Sequence, residues 1–143
     1  MRLEHVCDME LTYEGAFTLV QPYESQEGSG FGMGTGTVSG ARLAGQVRWV
    51  NHLRRRSDRA MLAQAHGRIT TEEGVDILFS WKGRAAPGAS RQGRQRQVLA
   101  ALFEAEDAHY QWLNHLVCIA EGRLHPETLR LELRIYACIP DIQ

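Results

Sequence analysis

Gly30, Gly32, Gly34 and Gly36 occupy every second position of a glycine-rich stretch, Gly28 to Gly45. In an extended chain alternate residues share a face, so these four would present bare backbone on one side. Such a strand permits close backbone approach, sharp barrel curvature or room for a bound molecule. The other way to read it is a flexible loop. Val38, Leu43, Val47 and Trp49 resume the strand pattern after it.

The rest of the chain repeats a period of two. Leu3, His5, Cys7, Met9, Leu11 and Tyr13 alternate with Arg2, Glu4, Val6, Asp8, Glu10 and Thr12, which predicts a half-buried strand. Glu14-Gly15 offers a turn, and Ala16 to Val20 a second strand that Pro22 ends or confines to an edge. Arg54-Arg55-Arg56-Ser57-Asp58-Arg59 is a polar connection. Met61 to Thr71 then places Ala63, Ala65, Gly67 and Ile69 on one face, with Leu62, Gln64, His66, Arg68 and Thr70 on the other. Glu72-Glu73-Gly74 turns the chain into Val75, Ile77, Phe79 and Trp81, the clearest hairpin in the sequence. Ala85 to Gly93 reads as a loop, and Leu129 to Ile139 as a long terminal strand.

Many strands joined by short turns predict an all-β chain, and strands this long need their edges protected. The expected fold is therefore one small antiparallel β-barrel of about 8–10 strands spanning residues 1–143. A chain of this length buries roughly two-thirds of its unfolded surface and needs no disulfide or metal to fold. Gln97 to Leu116 is ambiguous. Leu99, Leu102, Phe103, Tyr110, Leu113 and Leu116 fit a helical stripe, yet a strand to Glu106, a turn at 107–114 and a strand from His115 fit equally well.

Several blocks resemble one known family. Gly36-Thr37-Val38-Ser39-Gly40-Ala41-Arg42-Leu43-Ala44-Gly45 is similar to the G-x-V-x-G-x-x-L-x-G block of the domain-of-unknown-function family 3237. Gly67-Arg68-Ile69-Thr70-Thr71-Glu72-Glu73-Gly74 resembles its G-x-I-x-T-D-D-G hairpin, and Tyr110-Gln111-Trp112-Leu113-Asn114 its Y-x-W-L-N segment. Residues 116–122 and Ile135-Tyr136 resemble its closing strands. Glu72-Glu73 departs from the acidic Asp pair, and Trp49-Val50-Asn51-His52 with Arg54-Arg55-Arg56 suggests a subgroup. The resemblance implies a small β-barrel with strand at 97–106. It implies no chemistry and carries over no catalytic residue.

Familiar chemical signatures fail on spacing. Counting from Gly30, Gly32 or Gly34, the last glycine of a dinucleotide fingerprint falls on Thr35, Thr37 or Ser39. Gly40 to Gly45 has phosphate-loop spacing but continues Gln46-Val47, without the lysine and hydroxyl. Gly88 to Gly93 misses a nucleophile elbow around Ser90 by one residue. No paired Cys/His spacing suits a metal. His109, His115 and Cys118 could meet only in a folded turn, so no metal or cofactor is expected.

The net charge of −1 gives no field to draw nucleic acid or an anionic membrane, and Arg54-Arg55-Arg56 reads better as a solvated tip. No apolar run of about 18 residues exists. The N-terminus lacks a signal-peptide core, and Cys7, Cys118 and Cys138 are an odd, scattered set. A cytoplasmic protein with reduced thiols is expected, and a symmetric homodimer is the expected assembly.

Two polar clusters could line a barrel site. Asn51, His52, His66 and Arg68 form one, with His66 as a general base and Arg68 as an anion clamp, opposed by the reading that both lie in solvent. Glu104, Glu106, Tyr110, Trp112, Asn114 and His115 form the other, opposed by a packed turn capped by the Asn amide. Trp49, Phe79, Trp81 and Trp112 would be apolar walls. The function expected is binding of a small apolar or aromatic molecule in the lumen or mouth, with a cofactor-independent isomerase or cyclase as its catalytic version. The alternative is a non-catalytic barrel for oligomerisation or partner binding.

Overall fold

In the computed structural model, which describes residues 1–16, 18–86 and 95–143, the sequence alternation becomes a ring of antiparallel strands. The strands are β1 (Arg2–Tyr13), β2 (Thr18–Val20), β3 (Gly28–Ser39), β4 (Gly45–Asn51), β5 (Arg54–Arg55), β6 (Met61–Thr70), β7 (Asp76–Ala85), β8 (Gln95–Ala105), β9 (Cys118–His125) and β10 (Arg130–Ile139). Neighbours pair in the order β1-β10-β9-β8-β7-β6-β4-β3, and β3 pairs back onto β1. Eight strands therefore close the circuit. β2 adds to the free end of β3, while β5 prolongs the line of β4 between β3 and β6.

The closing seam depends on the glycines. Asp8–Tyr13 of β1 run antiparallel to Gly34–Ser39 of β3. A Cβ built on Gly34 would lie 2.1 Å from the Thr12 carbonyl oxygen, and one on Gly36 2.0 Å from that of Glu10. No larger residue lets the two backbones approach so closely. Nearer the open end, a Cβ on Gly30 would meet the Leu53 side chain at 2.7 Å. The bare face points inward, but backbone and Leu53 occupy the space it leaves.

Other expectations need local correction. The inward alternation of β1 holds from Cys7 to Tyr13, but a bulge between His5 and Cys7 buries Val6 and leaves Leu3 and His5 exposed. The helical stripe over Gln97–Phe103 is absent. The segment is strand to Ala105, and only Gln111–His115 forms a single 3₁₀ turn. Ladder bonds to β7 and β9 outweigh its helical propensity. The second strand is shorter than expected, Thr18–Val20.

Inward-facing side chains fill the middle of the barrel. Tyr13 and Trp49 approach to 4.5 Å between ring centroids, Trp49 and Trp81 to 5.9 Å, Phe79 and Trp81 stack at 5.1 Å, and Phe79 and Phe103 lie at 6.4 Å. Offset and tilted pairs at these separations each add about 0.5–1.5 kcal/mol beyond area burial. Met9, Leu11, Ile69, Ile77, Leu99, Leu131, Leu133 and Ile135 complete the packing. No helix among the described residues is long and apolar enough to cross a membrane.

Gly36→Ala should lower stability by about 2–3 kcal/mol in urea unfolding, because the new methyl meets rigid backbone. Gly15→Ala, at φ +76° in open space, should lose only about 1 kcal/mol. Equal losses at the two positions would contradict the seam.

Candidate functional site

The barrel's two ends differ. One end is sealed by the segment after β8. There Leu113 is fully buried and Tyr110 nearly so, with its hydroxyl 3.3 Å from Glu73 Oε1. Asn114 clamps this segment in place: its Oδ1 accepts from Ala105 N–H at 2.6 Å, and its Nδ2 donates to the Ala105 carbonyl at 2.8 Å. Trp112 lies half-buried beneath the Arg42 guanidinium, 3.9 Å from the ring centroid. The Tyr-Trp-Leu-Asn segment is thus a plug in which Trp112 packs and Asn114 caps, while Tyr110 also borders an outer hollow of about 460 Å³ with Arg42, Glu72 and Glu73. Glu104 points outward from β8 and does not join them.

The other end holds a cavity of about 250 Å³ lined by Tyr13, Asn51, Leu53, Met61, Ala63, Ala85, Gln95, Gln97, Leu124, Pro126 and Leu129. Its walls are mostly apolar, and its polar groups converge. Asn51 is buried at the end of β4. Its Nδ2 donates to the Tyr13 hydroxyl at 3.0 Å, and its Oδ1 accepts from Gln64 N–H at 3.1 Å. Burial drives the Tyr13 phenol well above its ordinary range, so it stays protonated. Gln97 is also buried. Packed against Tyr13, the buried Trp49 Nε1 has no partner among the described residues. An unmet buried N–H costs about 1–3 kcal/mol, so a water or a ligand oxygen there is favourable.

The expected constellations break up accordingly. His66 and Arg68 point to solvent, and strand alternation decides this: Ala65 and Ile69 hold the inner face of β6. Neither can act as base or clamp inside the barrel. His52 is also exposed and lies edge-on to Phe31 at 5.3 Å. Trp49, Phe79 and Trp81 pack on one another in the core; none of them lines the cavity. Asn51 alone among the expected residues reaches the mouth. Sequence reading missed Gln97 because the helical alternative obscured which way it faced, and missed Tyr13 because it looked like ordinary core.

Remaining chemical candidates lie elsewhere. His109 and His115 are exposed while Cys118 is buried in the wall, its thiol pushed up to about 11 by burial. Cys7 is pushed up to about 12 by the same cause, so neither thiol is a nucleophile. The region of Ser90 lies outside the described residues. A wide outer groove of about 650 Å³ crosses β1, β10, β9 and β8, and several of its charges are paired within the chain. At its centre Glu132 accepts from Arg123 Nε at 2.8 Å, from Arg130, and contacts His125 Nε2 at 3.2 Å. Arg123 first, then Arg130 and His125, hold the Glu132 carboxyl down at about 2.

The family model "Protein of unknown function (DUF3237)" matches residues 1–138. A β-barrel-like protein from Acinetobacter baumannii AYE superposes with a TM-score of 0.83 at 16% identity, over 95% of this chain and 94% of that one. A protein of unknown function from Clostridium acetobutylicum ATCC 824 gives 0.84 at 18% identity, over 97% and 100%. A protein from Penicillium herquei described as an enzyme gives 0.69 at 24% identity, over 94% and 93%. At these identities the likeness concerns the fold. No curated protein matches the chain by sequence.

Because the folded Glu132 carboxyl sits below its unfolded value of about 4.3, it adds stability above that pH and loses it as pH falls toward about 2. Glu132→Gln should therefore melt earlier than wild type at pH 7, by about 1 kcal/mol. The gap in Tm should close near pH 2; a gap independent of pH would contradict the network.

Proposed function

Since the chain belongs to the DUF3237 family, we propose that it is a small-molecule-binding barrel whose site is the open end. Its ligand is an uncharged, compact, apolar or aromatic molecule bearing a hydrogen-bond acceptor. The observation that carries this reading is the convergence of Tyr13, Asn51 and Gln97 on an otherwise apolar mouth. Few polar groups set in apolar walls are the usual composition of ligand sites. An eight-stranded barrel has an interior just wide enough for side chains or one small ligand, and here the aromatic core leaves that room only at the end. At about 250 Å³ the cavity suits a molecule smaller than the drug-sized ligands that fill larger pockets.

The described lining holds no carboxylate, imidazole or amine. The chemistry it supports is hydrogen-bond donation to a carbonyl oxygen. That would assist isomerisation or ring closure without a cofactor, but proton abstraction would need a base the described lining lacks.

The neutral aromatic ketone 1-indanone is a suitable probe. Isothermal titration calorimetry should show saturable binding to wild type and none to a folded Ala63→Trp variant, in which the mouth is filled. Gln97→Leu, which keeps the volume but removes the amide, should bind roughly tenfold more weakly. Absence of saturation in wild type, or equal binding by folded Ala63→Trp, would sink the reading.

A further inference from the structure

At the mouth, regular pairing between β4 and β6 runs out. Strand β4 ends at Asn51, which is 6% exposed and lines the cavity. One residue further, His52 N–H donates to the Gln64 carbonyl at 2.8 Å. The Gln64 N–H then meets a side chain: Asn51 Oδ1 accepts it at 3.1 Å. The Asn51 amide thus takes a bond that a strand carbonyl would otherwise receive.

That bond fixes which way round the amide sits. Turned over, Asn51 would set Nδ2 against the Gln64 N–H, donor against donor, in a buried place. Nδ2 carries two hydrogens that diverge in the amide plane, so one hydroxyl cannot take both. One is donated to the Tyr13 hydroxyl at 3.0 Å. The other has no acceptor among the described residues. A buried donor left unmet is costly, so an acceptor arriving there is favoured.

We propose that Asn51 selects the ligand: its second amide hydrogen binds the oxygen of a carbonyl compound such as an aryl ketone. The locked orientation turns away a molecule that presents only a donor there, such as an ammonium, because Oδ1 is already held by Gln64. Asn51 touches the ligand, while Gln64 and Tyr13 are the groups that position it. This assignment rests on the mouth being the binding site, and it names the class of molecule the mouth takes.

Proton–nitrogen NMR of the full chain reads the two hydrogens on Asn51 Nδ2 separately. Saturating 1-indanone should move one downfield and leave the other, held by Tyr13, nearly in place. Indane has the same rings without the oxygen. It should bind roughly tenfold more weakly and move neither hydrogen downfield. Asn51→Asp keeps an oxygen for Gln64 but replaces the amide hydrogens with carboxylate lone pairs. At about pH 8 this variant, verified as folded by circular dichroism, should bind 1-indanone roughly tenfold more weakly than wild type does. It should instead bind the cation 1-aminoindane, which wild type rejects. Wild type that binds indane as tightly as 1-indanone would overturn the assignment while leaving the mouth a site. So would bound 1-indanone that moves neither Asn51 hydrogen, or a folded Asn51→Asp that still prefers the ketone to the amine. Failure of both indane and 1-indanone to bind would overturn the mouth reading and this assignment together.

Discussion

Backbone approaching backbone at the β1–β3 seam is the contact on which the rest depends. Without it the eight strands form an open twisted sheet with two long exposed edges, a template for aggregation. With it, every inward side chain has a partner across the lumen, and the barrel has distinct ends. Gly34 and Gly36 make the approach possible because their missing Cβ atoms would stand where the Glu10 and Thr12 carbonyls now lie.

Closure at eight strands also limits what the interior can hold. Trp49, Phe79, Trp81 and Phe103 fill the middle, and the plug carrying Leu113 seals one end. Room remains at the mouth, where Asn51 is anchored on both sides and Gln97 joins the lining, while the Trp49 N–H behind Tyr13 lacks a partner among the described residues. On the outer surface, Glu132 draws Arg123 and His125 into one ion network.

Where a strand alternates cleanly, the sequence reveals its facing. Ala63, Ala65 and Ile69 face inward as their spacing requires, and the same spacing turns His66 and Arg68 outward. Choosing which face is inside needed the closed ring. A polar histidine between small residues reads equally as a lumen base or a solvent group until β6 is paired on both sides. Gln97 to Ala105 misled through local propensity, since ladder bonds to β7 and β9 are long-range and leave no local trace. The glycine alternation announced close approach but did not say what approaches. Its partner, β1, lies more than twenty residues earlier in the chain, and Leu53 follows a separate strand. The mouth was legible only through Asn51, because Tyr13 resembles core and Gln97 sat in the ambiguous segment.

The three tryptophans report on three regions: Trp49 below the mouth, Trp81 in the packed core and Trp112 outside the sealed end. Nitrogen-15 NMR resolves one indole N–H signal for each. Titration with 1-indanone should shift the Trp49 signal progressively to saturation while Trp112 stays fixed. A saturable shift confined to Trp112, or no shift at Trp49 while the ketone binds, would contradict a ligand site at the open end of the barrel.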